Sequence, residues 1–418
     1  MRPGRAQVTK SLAEGVTVLL ITGVTLASCL PDRDIEAEPC PGESADAPFT
    51  QRDSAGVQIV ETACEISTQP IGWIVDREPE LVIGVGDGPE EEFAQVAGVS
   101  SLPDRGVAVV DQEAFELRYF DAEGSLTARM GGEGQGPREF LLPQLIPAPD
   151  LVDSILVGDS RLRQYRHYPA RPGGEHRVVW GGQQWTDRAR QAIGKVNGRI
   201  LSRPERVVAQ IIQTPGPNEE ELPFYWIDTH TGEETLLERH QATRTFTLTP
   251  RGVRIIPFAE DPSSTVGPSG PVITSGGQFE IRHFDLDGDL HRILRIDRRR
   301  SPITDALVRD YADWRVETGR SSPERAEALS DIPTPDSLPA FSALQVDAPG
   351  WIWAQIVQPN PRLPTSWMVF DPDGRGQGLV EVPAGLEVHE IGEDFILGTW
   401  EDEWRRQQVH RYRLIRNR

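Results

Sequence analysis

The sequence reads as an all-β chain, a six-bladed propeller of four-stranded blades, and its period is the first reason. GPEEEF (Gly88 to Phe93) returns as GPREF (Gly136 to Phe140), which sets the two phenylalanines 47 residues apart. Asp111 and Asp159 lie 48 residues apart, and so do Phe120 and Tyr168. A repeat in the forties is the length of one four-stranded blade. Texture is the second reason. From about residue 57, short runs of Val, Ile, Leu and aromatic residues alternate with Gly, Pro and Asp turns, the pattern of many short strands. The third is a recurring turn: YFDAEG (119–124), YWIDTHTG (225–232), HFDLDG (283–288) and VFDPDG (369–374). In each, Asp caps the turn through its side chain and Gly takes a positive φ.

Laid along the chain, the blades fall at 94–135, 141–181, 187–240, 245–298, 339–383 and 385–416. The sixth holds EVHEIG, DFILGTW and VHRYRLI and is one strand short. PELVIGVG (79–86) precedes the first blade and has no blade of its own. The economical reading is that it completes the sixth, which closes the ring non-covalently and removes free sheet edges. One stretch breaks the strand texture, near 301–332. SPITDALVRDYADWRVETG (301–319) opens with Ser then Pro, suited to a helix N-cap and first turn. Ile303, Leu307, Tyr311 and Trp314 fall on one helical face, and SPERAEALSDI (322–332) starts in the same way. This predicts a short helical insertion between blades four and five, packed against the propeller.

The N-terminus addresses the chain. Arg2, Arg5 and Lys10 form a basic region, followed by the apolar run VTVLLITGVTLA (Val16 to Ala27). That run is of secretory length and short for a membrane span. It ends in LASC (Leu26 to Cys29), which matches a bacterial lipobox. Residues 1–28 are therefore expected to be a lipoprotein signal peptide, with Cys29 the site of lipidation and acylation. Leu30 rather than Asp follows it, which in a two-membrane bacterium implies outer-membrane sorting. Residues 29–56 are acidic and rich in Pro and Ala, a tether, and the propeller domain occupies 57–418. Cys40 and Cys64 remain, and an oxidising compartment predicts a disulfide between them, two free thiols being the alternative.

Charge and motifs exclude several classes. The net charge is −21, which repels nucleic acid and anionic lipid surfaces. GGEGQGPREF (131–140) fails as a phosphate loop, because no Lys and no hydroxyl follows Gly136 while Glu133 and Glu139 would repel phosphate. It is instead expected to be a blade connector, with Gly88, Pro89 and Phe93 as its earlier copy of Gly136, Pro137 and Phe140, and with Phe140 as an apolar plug. DLDGD (285–289) lacks the spacing of a calcium loop and reads as a turn. No HExxH and no GxSxG occurs. His167, His283 and His389 lie in different blades, and a ring can still bring such residues to its axis; the first two read as third-strand residues away from it. Trp351 and Trp353 alternate on one strand and share a face, with Trp367, Trp400 and Trp404 in the same half. Core packing is the expected role, an exposed aromatic platform the alternative. No cofactor and no catalytic residue is assigned.

Together the lipobox, the acidic tether, RDSAGVQIVETA (52–63), LVIGVGDGPEEEF, RYFDAEG and GEGQGPREF resemble bacterial six-bladed β-propeller lipoproteins with NHL-like repeats. The resemblance spans residues 15–418 and is weakest in the third blade. It implies fold and location more than activity. The expectation is a membrane-anchored binding or scaffold module of the cell envelope, with an envelope protein, peptide or glycan as partner. The alternative is a propeller hydrolase or lyase with an axial metal.

Overall fold

The computed structural model describes residues 40, 47–86, 88, 92–173, 177–181, 190–204, 216–249, 252–332, 334–358, 360 and 362–417. Six sheets stand round one axis as blades, each with its own strands antiparallel. Their inner strands are Val96–Ser101, Pro143–Ile146, Arg190–Val196, Ser263–Gly267, Phe341–Val346 and Glu387–Ile391. Each touches the next, and the sixth touches the first. The ring is therefore closed, as the period requires.

Closure follows the expected device. Leu81–Ile83 pairs antiparallel with Val409–Arg411 and supplies the fourth strand of blade six. Glu80 fixes the junction, taking hydrogen bonds from Arg411 at 2.7 Å and from Arg105 of blade one at 2.8 Å. Ile83 is buried in a core shared by Leu397 and Val409 of blade six and Val107 and Val109 of blade one.

The N-terminal segment does more than close the last blade. Phe49–Ser54 and Val57–Thr62 form a hairpin through Ala55 and Gly56, both at positive φ, as a tight hairpin turn demands. Val57–Thr62 then runs parallel to Leu290–Ile296 on the outer edge of blade four. Further on, Ile71 and Leu379 hydrogen-bond across to blade five, and Ile74–Val75 pairs with Leu414 and Ile415 of blade six. One segment thus straps three blades. Residues 49–54 are a strand rather than part of the tether. Cys40 is joined to Cys64, where the strap leaves blade four, with their Cα atoms 5.5 Å apart.

Two blade boundaries move. Blade three contains Gly216–Asp228 and Glu234–Thr249, far longer than the other strands, and a fifth strand Gly252–Ile255. It therefore runs to 255, and blade four begins at Ser263 rather than at 245. The long hairpin breaks the period, which is why spacing misplaced the border. The helical insertion is present as Asp305–Glu317 and Pro323–Glu327. Ser322 caps the second helix as expected, with Pro323 in its first turn. The first helix is capped by Thr304, not Ser301, because Pro302 bridges to Ser337 and holds Ile303 outside the helix. Tyr311 packs on Phe258 at 4.9 Å and beside Trp314 at 5.7 Å. Among the described residues no helix is long and apolar enough to cross a membrane.

Near the axis the inner strands crowd. A Cβ on Gly194 of blade three would lie 2.4 Å from a methyl of Val266 in blade four, and one on Gly267 would lie 2.5 Å from Val346 of blade five. These glycines let neighbouring blades meet backbone to side chain.

Ile83→Ala is expected to cost about 2–4 kcal/mol, read as a lower urea midpoint for the whole domain in one transition. Gly194→Val should cost about 1–3 kcal/mol by overpacking, measured in the same way.

Candidate functional site

The connector is structural in both copies. Phe140 lies between Val110 and Leu117 of blade one and Leu145 and Ile155 of blade two, so it is the expected plug. The Arg166 guanidinium sits over its ring at 5.9 Å and donates to the Glu139 carbonyl at 3.0 Å. Asp159 accepts the N–H groups of Leu141, Leu142 and Leu162. Blade one repeats the arrangement with Phe93, Arg118 at 5.5 Å, and Asp111 accepting from Ala94, Gln95 and Ala114. The Gly136 N–H donates to the Glu139 carboxylate at 2.7 Å. The loop's own acid thus occupies the amide that a phosphate would need. Gly88 accepts from the Glu92 N–H at 3.2 Å, and Pro137 is exposed. Cys29 and Pro89 lie outside the described residues.

DLDGD is a turn, since the Asp285 carboxylate accepts from the N–H groups of Asp287 and Asp289, both at 2.9 Å. Trp351 and Trp353 do share a face. Both pack on Trp73 of the strap, at 4.8 and 5.6 Å, and Trp367 is buried, so their role is packing; of these five tryptophans Trp404 is the one largely exposed.

Of the three histidines considered for an axial site, His167 and His283 lie on third strands and only His389 lies on an inner strand. Among the described residues no three His, Cys, Asp or Glu side chains are close enough together to hold a metal ion.

What the axis offers is a polar lining of amides and hydroxyls with Arg203, Asp261, Glu387 and His389 among them. A cavity of about 510 Å³ opens on the upper face, defined as the face where the inner strands begin. Gln95 and Gln112 enter it from blade one, Gln144 from blade two, and Gln191 with Arg203 from blade three. Ser263 and Ser264 line it from blade four, Ser342 from blade five, Glu387 and His389 from blade six. A side branch of about 280 Å³ reaches between blades two and three and shares Gln112, Gln144, Gln191 and Arg203. Arg203 donates to Gln191 at 3.3 Å, and Gln112 to the Pro143 carbonyl at 3.0 Å. Sequence reasoning missed this cluster. Its signal was present, because Gln95, Gln144 and Gln191 are 49 and 47 residues apart, close to the blade period.

The helical insertion sits on the same upper face, between the last strand of blade four and the first of blade five. It is tied to blade five by Glu317 and Arg362 and to blade six by Arg320 and Glu401 at 2.7 Å. Both pairs are partly exposed and contribute little each.

Burial lowers the pKa of His389, with Glu387 pulling the other way, and its Nε2 lies 3.1 Å from the Thr399 hydroxyl. Burial lowers His283 and His410 to about 4. Such histidines fold neutral. Between their ordinary pKa of about 6.5 and about 4 the unfolded chain binds protons that the folded chain refuses, so stability falls as pH falls through that window. His283 and His410 should each cost on the order of 3 kcal/mol by its lower end. His283→Gln is expected to make the decline of Tm between about pH 6.5 and 4 shallower, read by thermal melts across that range.

No family model and no curated protein sequence matches the chain. Among solved structures it is similar to a member of the DUF4221 family from Bacteroides vulgatus, at 13% identity over 82% of this chain and 99% of that one, with a TM-score of 0.47. It is also similar to a protein of Bacteroides fragilis proposed to be exported, at 10% identity over 86% and 100%, with a TM-score of 0.43. A third likeness is to virginiamycin B lyase from Staphylococcus aureus, at 10% identity over 82% and 100%, with a TM-score of 0.37. At such identities the likeness concerns architecture. With its six sheets in a closed ring, the chain is a six-bladed β-propeller.

Proposed function

We propose that this chain is a lipid-anchored binding module of the bacterial cell envelope, and that the upper axial cavity is its binding site. One observation carries the reading. The lining draws glutamines from four blades and serines from two around one cavity of about 510 Å³, a volume suited to a small ligand or a short segment of a larger one. Amides both donate and accept, and hydroxyls do the same. Such a lining, with Arg203, Asp261 and Glu387 among the amides and hydroxyls, recognises a polar, hydrogen-bonding ligand, a glycan or a peptide of the envelope. The LASC lipobox supports attachment through Cys29, and Leu30 after it supports outer-membrane sorting. Acyl chains at about 0.8 kcal/mol per buried CH2 make a stable anchor. The resemblance to propeller lipoproteins with NHL-like repeats points to the same location.

The alternative, a hydrolase or lyase with an axial metal, has less support. Its three histidines do not converge.

Two measurements test the reading. The intact mass of the mature chain from membranes should show an acylated, diacylglycerol-bearing Cys29, and an unmodified thiol there would sink the anchor. Calorimetry against a panel of neutral envelope glycans and peptides should find a binder that the paired change Gln144→Ala and Gln191→Ala weakens about tenfold. Unchanged affinity would remove the cavity from the site.

A further inference from the structure

Each inner strand starts on or beside a polar residue that lines the upper cavity: Gln95, Gln144, Gln191, Ser263, Ser342 and Glu387, in blade order. The first five are neutral. Glu387 is the exception, although it has the shape of the glutamine that blades one to three carry at that place. A carboxylate there exchanges a group that donates and accepts for one that only accepts and bears a charge. Nothing cancels that charge. Among the described residues Glu387 has no ion pair and no side-chain hydrogen bond, whereas Arg203 and Asp261, of opposite sign, are each already engaged. His389 supplies no positive charge, since burial lowers its pKa. An uncompensated carboxylate in the wall of a cavity, on a chain of net charge −21, focuses a field that attracts cations.

We infer that the ligand of the upper cavity carries a primary ammonium group, and that Glu387 is the residue that receives it. The inference rests on that cavity being a binding site. A hard metal ion does not suit the lining, because it takes several oxygen ligands with carboxylates among them, and among the described residues no three His, Cys, Asp or Glu side chains lie close enough together. An ammonium needs one carboxylate and neutral acceptors for its remaining N–H groups. Blade five, whose inner strand touches that of blade six, supplies them. The Gln345 Nε2 donates to the Val388 carbonyl at 3.1 Å, which leaves Oε1 of the same amide as an acceptor, and Ser342 adds a hydroxyl. An amino sugar and the free N-terminus of a peptide both present such an ammonium.

Two pairs of probes, titrated into the full mature chain by calorimetry, separate the sources. One pair is β-1,4-linked diglucosamine and its N,N′-diacetyl form; the other is triglycinamide and N-acetyl-triglycinamide. At about pH 6, below the pKa of an α-amino group, one free amine should bind about tenfold more tightly than its acetylated partner, and the pair that shows this names the source. Glu387→Gln, isosteric and at an exposed position, should remove the difference and leave the acetylated form unchanged. Glu403→Gln, which removes the same charge from an exposed turn of blade six outside the cavity, should change neither. Equal affinity within both pairs, no binding of either amine, a difference that survives Glu387→Gln, or an equal loss in Glu403→Gln overturns the inference. The two readings fail differently. If Gln144→Ala with Gln191→Ala weakens both members of a pair alike and Glu387→Gln weakens neither, the ammonium falls and the cavity stands. If the glutamine changes have no effect while Glu387→Gln still removes the difference, the glutamine side of the site falls and the ammonium stands.

Discussion

A blade of this protein has no free apolar face to leave in water. Every residue of Val107–Asp111 is buried, and so is every residue of Gly270–Thr274. Burial on both faces of a sheet requires a neighbour on both sides, and a row of such sheets ends only by becoming a ring. The three-residue pairing of Leu81–Ile83 with Val409–Arg411 therefore carries more than its few hydrogen bonds. It finishes blade six, gives blade one a wall, and removes the last open edge.

Bringing six sheets to one axis crowds their inner strands and fixes what can line the centre. Gly194 and Gly267 have no room for a Cβ, since Val266 and Val346 stand where it would go. The central side chains then sort by level. Where inner strands begin, the chain has just crossed from an outer edge, and Gln95, Gln144, Gln191, Ser263 and Ser342 meet water. Where they end, Val99, Val266 and Ile391 face one another. The cavity where the inner strands begin is therefore richer in amides and hydroxyls, and the one where they end richer in apolar side chains.

The N-terminal strap shows how a short segment stabilises a large ring. It adds a hairpin to blade four, hydrogen bonds to blade five at Leu379, and a strand to blade six. The Cys40–Cys64 disulfide lies at its start, and a cross-link there narrows the unfolded ensemble of the segment that closes the ring. The helical insertion and the long hairpin of blade three are additions to the repeat at its upper face, and neither alters the ring itself.

Much of this was legible in the sequence. Period, turn chemistry and the orphan strand PELVIGVG determined the fold class, the number of blades and the manner of closure, because each blade repeats one supersecondary unit and its landmarks recur at fixed spacing. The Asp turns at 121, 228, 285 and 371 formed because their chemistry is local: a carboxylate accepts the N–H groups two to four residues ahead. The border between blades three and four was lost where a hairpin outgrew the period. The docking of Val57–Thr62 beside Leu290–Ile296 could not be read, since parallel pairing across more than two hundred residues leaves no local mark. The same holds for the axial site. Gln95, Gln144 and Gln191 are ordinary strand-start residues along the chain, and only the closed ring turns them inward around one space. Local chemistry fixed the pieces; convergence on an axis, a property of the whole ring, decided which of them face one another.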